Sequence, residues 1–489
     1  MMRNQRIFFP LIISSAILIL ILIYLFPDFW NGNSEYEWRV LWHGRKIRLI
    51  WVFGLWTAII CGLFFLGRGL ERFSEKKARW IFPSLLFGAG IISFLVFSQI
   101  NRYGGYELLV KVFVADHNSY YVDALKYPEK SELIEAYQSR LLSLHTHSRT
   151  HPPLSVWIFS QINHWAKKSE ILKGIYQGIV SEKVIKELER HFQVSLSQQA
   201  GGFWAGILML FCGGLALVLS YFILRRFYPP FFCYLSGLVV VSVPGYSQRA
   251  PVMDQVFAIF ILASALLVLS RTKWFYLKRI FAGIFLGIGV WMSPGVWSGL
   301  LLIFLLLFAE NRAEKKPLKE LFSQKEILGF FLLLLFLTGT IILISLWMDI
   351  GYFEVFRLNR IGFHFNNQVG GRLKTWKWML FNPYEYLFWL SVPLIWGFLL
   401  KIGKEIKSFK EKGEIGDYFF WAVLVFFLLL NFSGQLCYES PRLLWFFNYL
   451  AGASLVSGFL PIMKNFHSQK WLVILGTASA QTCLFHLIY

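Results

Sequence analysis

Charged residues are scarce in this sequence of 489 residues. Only 16% of the residues are charged, whereas 56% are hydrophobic and 19% are aromatic. A soluble domain of this composition would expose large apolar patches, which soluble proteins rarely do. Apolar runs of about 18 to 22 residues recur along the chain, and each is long enough to cross ~30 Å of hydrocarbon. The composition therefore excludes an ordinary soluble protein and predicts an all-α polytopic integral membrane protein.

Cysteine is also rare, and its spacing excludes two kinds of site. The five cysteines are Cys61, Cys212, Cys233, Cys437 and Cys483, and none forms a C-x-x-C pair. A disulfide framework or a structural zinc site would need regularly spaced cysteines or histidines. We expect neither. Repeats of 20 to 50 residues are missing as well, which argues against a solenoid.

Acidic residues are outnumbered by basic ones, 28 against 48, for a net charge of +20. In a soluble protein this excess would indicate a nucleic-acid partner. Membrane proteins instead concentrate Lys and Arg in cytoplasmic loops and beside anionic headgroups. We therefore predict contact with membrane lipid and no nucleic-acid partner.

The apolar runs predict thirteen transmembrane helices. Ser293-Pro294-Gly295 divides one run that is too long for a single crossing, because Pro and Gly break helices. The first run lacks a small-residue cleavage site, so it is interpreted as a retained helix and not as a signal peptide. The predicted spans are 8-26, 49-66, 80-98, 202-224, 230-247, 250-270, 279-292, 294-309, 327-347, 385-402, 418-431, 441-458 and 470-488.

Basic residues in the short connections predict the orientation. Alternate crossings place six basic connections on one side, which is the cytoplasm by the positive-inside rule. These are Arg68 to Arg79, Arg225-Arg226, Arg271 to Arg279, Arg312 to Lys325, Lys401 to Lys412 and Lys464 to Lys470. The N-terminus is then cytoplasmic, in a multi-pass protein of the cell (inner or plasma) membrane. The segments left on the outer face are 101-200, 247-250, 348-384 and 432-441.

The same pattern divides the chain into three parts. Residues 1-79 form an additional N-terminal hairpin and a cytoplasmic loop, 80-347 a membrane core with the outer loop 101-200, and 348-489 a basic outer loop and the last helices. Within the long loop, 106-114 is expected on the membrane surface and 154-165 as a short helix. Ile171, Ile175, Ile179, Val184 and Leu188 have near-helical spacing and predict a soluble amphipathic helix in 166-200.

The loop 348-384 carries more cations than an outer loop should. These are Arg357, Arg360, Arg372, Lys374 and Lys377. Such an excess predicts an anionic ligand. Lipid headgroups and a phosphorylated substrate both fit.

Asp116 is the first candidate for chemistry, because a carboxylate just outside the third span is partly desolvated and can act as a base. It fits equally the role of a helix N-cap. Tyr120 follows one helical turn later and is expected to share its face, and Asp123 follows after two turns.

The run His151-Pro152-Pro153 is rigid, since each proline fixes φ and restricts the residue before it. A rigid segment can hold His151 or Arg149 against a charged group, although a plain helix entry explains it too. His145, His147 and His151 could alternatively bind a metal ion.

Two further outer helix starts carry charge. Asp254 opens the sixth span, where an ionisable side chain is costly and usually functional. Arg442 follows Pro441 at another helix start, a place where a phosphate approaches the positive end of the dipole. Glu439 could orient Arg442 or neutralise it.

These landmarks together resemble the GT-C class of membrane glycosyltransferases, in particular the protein O-mannosyltransferases and the bacterial aminoarabinose transferases. The resemblance lies in Asp116 with Tyr120 and Ala124, in His-Pro-Pro-Leu at 151-154, in Met253-Asp254, and in Glu439, Arg442, Leu443, Trp445 and Phe446. Asp116 is followed by His117, where many members carry Glu.

The resemblance implies an inverting transfer of a sugar from a polyprenyl-phosphate donor to a glycan, lipid or protein acceptor. Asp116 is then the catalytic base, and Arg442 with Arg360 or Arg372 holds the lipid phosphate. Tyr120, Arg149, His151, Asp254 and Glu439 are the other expected substrate-binding residues. No cofactor is implied, and whether a divalent metal ion assists is left open.

Two other functions fit the sequence less well. A transporter or flippase of lipid-linked sugars would also need outer cations, but transporters place ionisable groups near the bilayer midplane and often have two similar halves. A structural subunit would leave the shared outer location of Asp116, Asp254 and Arg442 unexplained.

Overall fold

The computed structural model describes residues 10, 12-15, 46-71, 75-100, 104-247, 250-270, 273-369, 375-433, 445-460 and 468-488. Within these ranges the chain is helical, with no β-strand. The predicted all-α class is therefore confirmed for the described part of the protein.

The helices are numbered here in chain order. The first half contains α1 (Lys46–Leu70), α2 (Glu75–Ser98), α3 (Glu107–Phe113), α4 (Ala115–Lys126), α5 (Lys130–Ser139), α6 (Thr146–Thr150), α7 (Leu154–Lys168), α8 (Glu170–Ile179), α9 (Glu182–Phe192), α10 (Leu196–Leu224), α11 (Pro230–Val241) and α12 (Pro244–Ser247). The second half contains α13 (Asp254–Leu269), α14 (Phe275–Met292), α15 (Ser298–Ala313), α16 (Gln324–Met348), α17 (Tyr352–Val369), α18 (Thr375–Trp389), α19 (Val392–Lys412), α20 (Tyr418–Phe432), α21 (Asn448–Val456) and α22 (Ser468–Ile488).

Six described helices are long and apolar enough to cross a membrane. They are Arg48–Leu70, Arg79–Ser98, Leu196–Leu224, Phe275–Met292, Pro294–Ala313 and Gln324–Met348. Shorter apolar helices cover Pro230–Val241, Asp254–Leu269 and Tyr418–Phe432. The membrane character of the chain is thus supported, whereas the count of thirteen spans remains a prediction, and most of 8-26 lies outside the described residues.

Two expectations about the C-terminal half are wrong in detail. The region 348-384 is not a loop, since α17 and most of α18 lie within it. The predicted span 385-402 is divided between α18 and α19. Ser391 has a left-handed φ of 86° at the break, and Pro393 follows in the first turn of α19, where a missing N–H costs no helical hydrogen bond.

The long polar region 101-200 folds into short helices. The segment predicted on the membrane surface forms α3, and the helix expected at 154-165 is α7. The amphipathic helix expected in 166-200 is instead two helices, α8 and α9, and Ile171 and Ile179 are 76% and 61% exposed. Leu188 is buried, so the five residues do not form one covered face.

Close backbone packing joins α14 to α16. A Cβ on Gly283 would overlap the carbonyl oxygen of Leu333, so only glycine permits this approach. The Trp291 indole N–H also donates to the Ile341 carbonyl oxygen, 3.0 Å away. The two helices therefore meet along a seam in which backbone faces backbone.

Buried ion pairs join the helices at one end of the bundle. Lys401 and Glu405 on α19 are each 2% exposed. The Lys401 Nζ lies 2.5 Å from Asp417 Oδ2 and 3.6 Å from Glu405 Oε1. The Tyr228 hydroxyl donates to the same Asp417 oxygen at 2.9 Å. A single lysine therefore balances two carboxylates that are largely removed from water.

Replacement of Lys401 should destabilise the protein strongly, because it leaves two buried carboxylates without their countercharge. For Lys401→Met we expect a loss of about 3 kcal/mol in the free energy of unfolding. Thermal or denaturant unfolding of the purified protein in detergent measures this change.

The same helix offers a matched control. Lys407 lies 3.6 Å from Glu411, and both side chains are exposed, so Lys407→Met should cost less than about 1 kcal/mol. Equal losses for the two variants would contradict the role given to burial.

Candidate functional site

Asn118 ties the start of α4 to the segment before α13. Its Nδ2 donates to the Pro251 carbonyl oxygen at 2.8 Å, across 133 residues of sequence, and to the Lys111 carbonyl oxygen at 3.3 Å. The backbone at Asn118 is non-helical, with φ −136° and ψ 59°. The side chain is fully buried. A local break in α4 thus allows this residue to bridge two distant segments.

This break corrects one expectation. Asp116 lies in the first turn of α4, but Asn118 interrupts the helix between it and Tyr120. The spacing of four residues therefore does not place the two residues on one face, as it would in a regular helix. The N-cap of α4 is Val114, so the N-cap role weighed for Asp116 is wrong as well. The Asp116 side chain itself lies outside what the structure describes.

Side chains of α4 and α5 hold the segment from 145 to 151. The Ser119 hydroxyl accepts a hydrogen bond from the Ser148 N–H at 3.0 Å. The Tyr137 hydroxyl lies within hydrogen-bond distance of two carbonyl oxygens, those of Ser148 and His151. Burial and the Asp123 charge raise the pKa of Tyr137, so this hydroxyl stays a donor. The segment that carries Arg149 and His151 is thus fixed by its backbone.

Aromatic rings bring three predicted landmarks together. The ring centroids of Tyr120 and His151 are 5.5 Å apart, and the rings meet edge to face. His151 stacks on Phe257 at 5.7 Å with an interplanar angle of 15°. Phe257 lies one turn after Asp254 on α13. Tyr120, His151 and Phe257 at the start of α13 therefore form one cluster.

Hydrogen bonds hold the His151 ring in place. Its Nδ1 lies 3.0 Å from the His147 carbonyl oxygen and 3.1 Å from the Thr150 hydroxyl. The ring is therefore fixed by its own segment while it stacks on Phe257.

Arg149 lies between the segment 145–151 and α17. Its guanidinium carbon is 5.3 Å from the centre of the Phe365 ring. Its Nε is buried and has no hydrogen-bond partner within the described ranges. Burial lowers the pKa of Arg149, and the Asp123 carboxylate partly offsets this effect, so the side chain remains a cation at neutral pH. Such a partly desolvated cation fits the predicted role of binding an anionic group.

Asp123 and His145 form a pair that the sequence did not reveal. The Asp123 carboxylate is fully buried. One of its oxygens lies 2.7 Å from the His145 Nδ1, and the other accepts from the His145 N–H at 3.0 Å. Sequence reasoning considered Asp123 only as a neighbour of Asp116, because nothing in the spacing of 22 residues indicates this contact. Asp123 orients the histidine and fixes the start of α6.

The histidines do not support the metal alternative. The described residues include no group of three or more His, Cys, Asp or Glu side chains that could hold a metal ion. His145 turns its Nδ1 to Asp123, and His151 turns its Nδ1 to a backbone oxygen. These two nitrogens are therefore engaged elsewhere.

The remaining predicted residues are spread along the rest of the chain. Asp254 lies in the first turn of α13 and is partly exposed. Arg360 lies on an exposed face of α17. Arg372, Glu439 and Arg442 fall outside the described residues, so their relation to Tyr120 and His151 remains a prediction.

Comparisons with protein-family models, with curated proteins and with solved structures found no match.

Removal of the Tyr137 hydroxyl should loosen the site. Tyr137→Phe takes away the group that two buried carbonyl oxygens share, which should cost about 1 to 3 kcal/mol. The unfolding free energy and the rate of proteolysis between α5 and α7 measure the effect.

Tyr127→Phe provides the control for this variant. In the described part of the chain the Tyr127 hydroxyl lies 3.0 Å from the Ser143 hydroxyl, and Ser143 keeps its bond to the Arg140 carbonyl oxygen when Tyr127 loses this group. We expect a loss below about 1 kcal/mol. Proteolysis of both variants at the unchanged rate would show that Tyr137 does not hold the segment.

Proposed function

We propose that the chain is an inverting glycosyltransferase of the GT-C type. It moves a sugar from a polyprenyl-phosphate donor to an acceptor at the outer face of the membrane. Thirteen transmembrane helices and a cytoplasmic N-terminus belong to this proposal.

One observation carries the proposal. Tyr120, His151 and the helix start at Asp254 are far apart in sequence, yet they meet in one aromatic cluster beside the start of α4. A merely structural bundle does not require these particular residues to meet. Their meeting supports a site to which α4, the proline-rich segment and α13 all contribute.

The chemistry of the proposed reaction suits these residues. Inversion at the anomeric carbon needs one base that takes a proton from the acceptor hydroxyl, and Asp116 in the first turn of α4 has this role. The leaving lipid phosphate carries its own negative charge, so cations stabilise its departure better than an added acid does. Arg149, partly desolvated beside the cluster, is a suitable cation, and Arg360, Arg372 and Arg442 remain further candidates.

Contacts between the connecting segments support the proposed topology. At one end, Asn118 contacts Pro251, Ser155 contacts Met292, and Lys130 contacts Asp349. At the other end, Arg226 pairs with Glu310, Arg279 pairs with Glu326, and Lys401 pairs with Asp417. Each contact joins two segments that the predicted alternation assigns to the same side. The first set belongs to the outer face and the second to the cytoplasm.

A transporter or flippase of lipid-linked sugars is the alternative. It would use the same cations, but near the bilayer midplane. His151 instead stacks on Phe257 in the first turn of the apolar helix α13, which favours chemistry at the membrane border.

Replacement of the proposed base should abolish transfer. For Asp116→Asn we expect the rate of sugar transfer to fall by about 10²–10⁴-fold, because the amide cannot take the proton. The assay uses purified protein in proteoliposomes with a polyprenyl-phosphate sugar, and it follows both the glycosylated acceptor and the released polyprenyl phosphate.

Asp349→Asn is the matched control. Asp349 pairs with Lys130 at the proposed outer face, is 71% exposed, and should not affect the rate. Undiminished transfer by Asp116→Asn would refute the assignment of the base. Movement of the intact donor across the membrane, without release of the phosphate, would favour the flippase.

Two cysteine variants test the proposed orientation. Glu187 on α9 and Lys407 on α19 are both exposed and are assigned to opposite sides. In a background without native cysteines, a membrane-impermeant maleimide should label Glu187→Cys in intact cells and Lys407→Cys only after permeabilisation. Labelling of both in intact cells would overturn the topology.

A further inference from the structure

The helix α17 has one face that no other part of the described chain covers. Phe353 is 88% exposed, Phe356 is 47% exposed and Ile361 is 44% exposed. Arg357, Arg360 and His364 are exposed between them. Each of these six positions has another of them three or four residues away, so together they lie on one side of the helix. We call this side the uncovered face of α17.

The opposite face of α17 packs on the candidate site. A Cβ on Gly362 would overlap the Arg149 carbonyl oxygen, and Asn366 Nδ2 donates to the Thr146 carbonyl oxygen at 3.2 Å. Phe365 lies under the Arg149 guanidinium. The uncovered face of α17 therefore belongs to a helix that is fixed on the segment carrying Arg149 and His151.

The start of α17 lies at the end of an apolar span. Only three residues separate it from Met348, the last residue of α16. Leu346 and Trp347 are 70% and 44% exposed at the end of that span. The Trp297 indole N–H donates to the Tyr352 hydroxyl at 2.8 Å. Trp297 is 38% exposed, and exposed tryptophan side chains at helix ends are typical of the membrane border.

The C-terminal end of α17 also lies near the end of an apolar helix. Asn366 contacts α6, and His151, just after α6, stacks on Phe257 in the first turns of the apolar helix α13. Both ends of α17 are thus tied to the ends of apolar helices. A helix of this length spans roughly 27 Å, so α17 runs along the membrane border and does not stand away from it.

From these contacts we infer that the uncovered face of α17 binds anionic lipid headgroups. Phe353, Phe356 and Ile361 enter the border between headgroups and acyl chains, as apolar residues of interfacial helices do. Arg360 binds the phosphates of anionic lipids, while Arg357 also keeps its pairing with Glu354. Lipid headgroups and a phosphorylated substrate both fit this basic region, and we assign lipid headgroups to the uncovered face of α17. The inference depends on the membrane character of the chain and is independent of sugar transfer.

A fluorescent probe tests whether the uncovered face of α17 lies at the membrane border. Bimane on Phe353→Cys, in nanodiscs and in a background without native cysteines, should be quenched by lipids that carry a nitroxide near the headgroup. The Phe353 side chain is 88% exposed, so its replacement removes little packing. Bimane on Glu187→Cys is the aqueous control and should not be quenched. Equal, weak quenching at both positions would overturn the inference.

Lipid selectivity tests the charge. Nitroxide-labelled phosphatidylglycerol should quench the probe at position 353 better than labelled phosphatidylcholine at the same mole fraction. Arg360→Gln should lower this preference by about fivefold. Arg190→Gln removes an exposed cation from α9 and should leave the preference unchanged. Equal quenching by the two lipids, or a preference that Arg360→Gln does not alter, would exclude anionic headgroups as the ligand.

Discussion

The site depends on how the backbone between α5 and α7 satisfies its hydrogen bonds. Buried N–H and carbonyl groups need partners, and Pro152 and Pro153 provide no N–H of their own. Ser119, Asp123 and Tyr137 contact this backbone from α4 and α5. The placement of Arg149 and His151 is therefore set by neighbouring helices. Since α4 also carries Asp116 and Tyr120, its position determines the geometry of the whole site.

The two ends of the bundle are stabilised by different kinds of interaction. One end has ion pairs with little exposure, in which Arg279 and Lys401 face carboxylates. Such pairs are costly to break and favour a single arrangement. The end with the candidate site relies mainly on neutral hydrogen bonds and aromatic rings. This division gives the end with the ion pairs the more rigid arrangement.

The elements that sequence reasoning predicted correctly rest on strong local patterns. Long apolar runs predict α10 and α16, and the proline pair before Leu154 predicts the start of α7. These features follow from hydrophobicity or from proline geometry.

The errors arise where tertiary contacts override local pattern. The break at Asn118 exists because its side chain reaches Pro251, and no local rule indicates this distant partner. The pairing of Asp123 with His145 is hidden for the same reason. The exposure of Ile171 and Ile179 contradicts the usual meaning of an amphipathic pattern. Periodicity shows that one side of a helix is apolar, but not whether protein or lipid covers that side.

The glycine contact between α14 and α16 has a mechanical consequence. Where backbone faces backbone at Gly283, no side chain can change rotamer to absorb a displacement. Bilayers of different thickness tilt the helices within them, and a tilt of α16 would be passed on to α14. The Met292 carbonyl oxygen at the end of α14 accepts a hydrogen bond from Ser155, the third residue after Pro152. A change in membrane thickness would thereby shift the proline-rich segment, because α16 and α14 would move together.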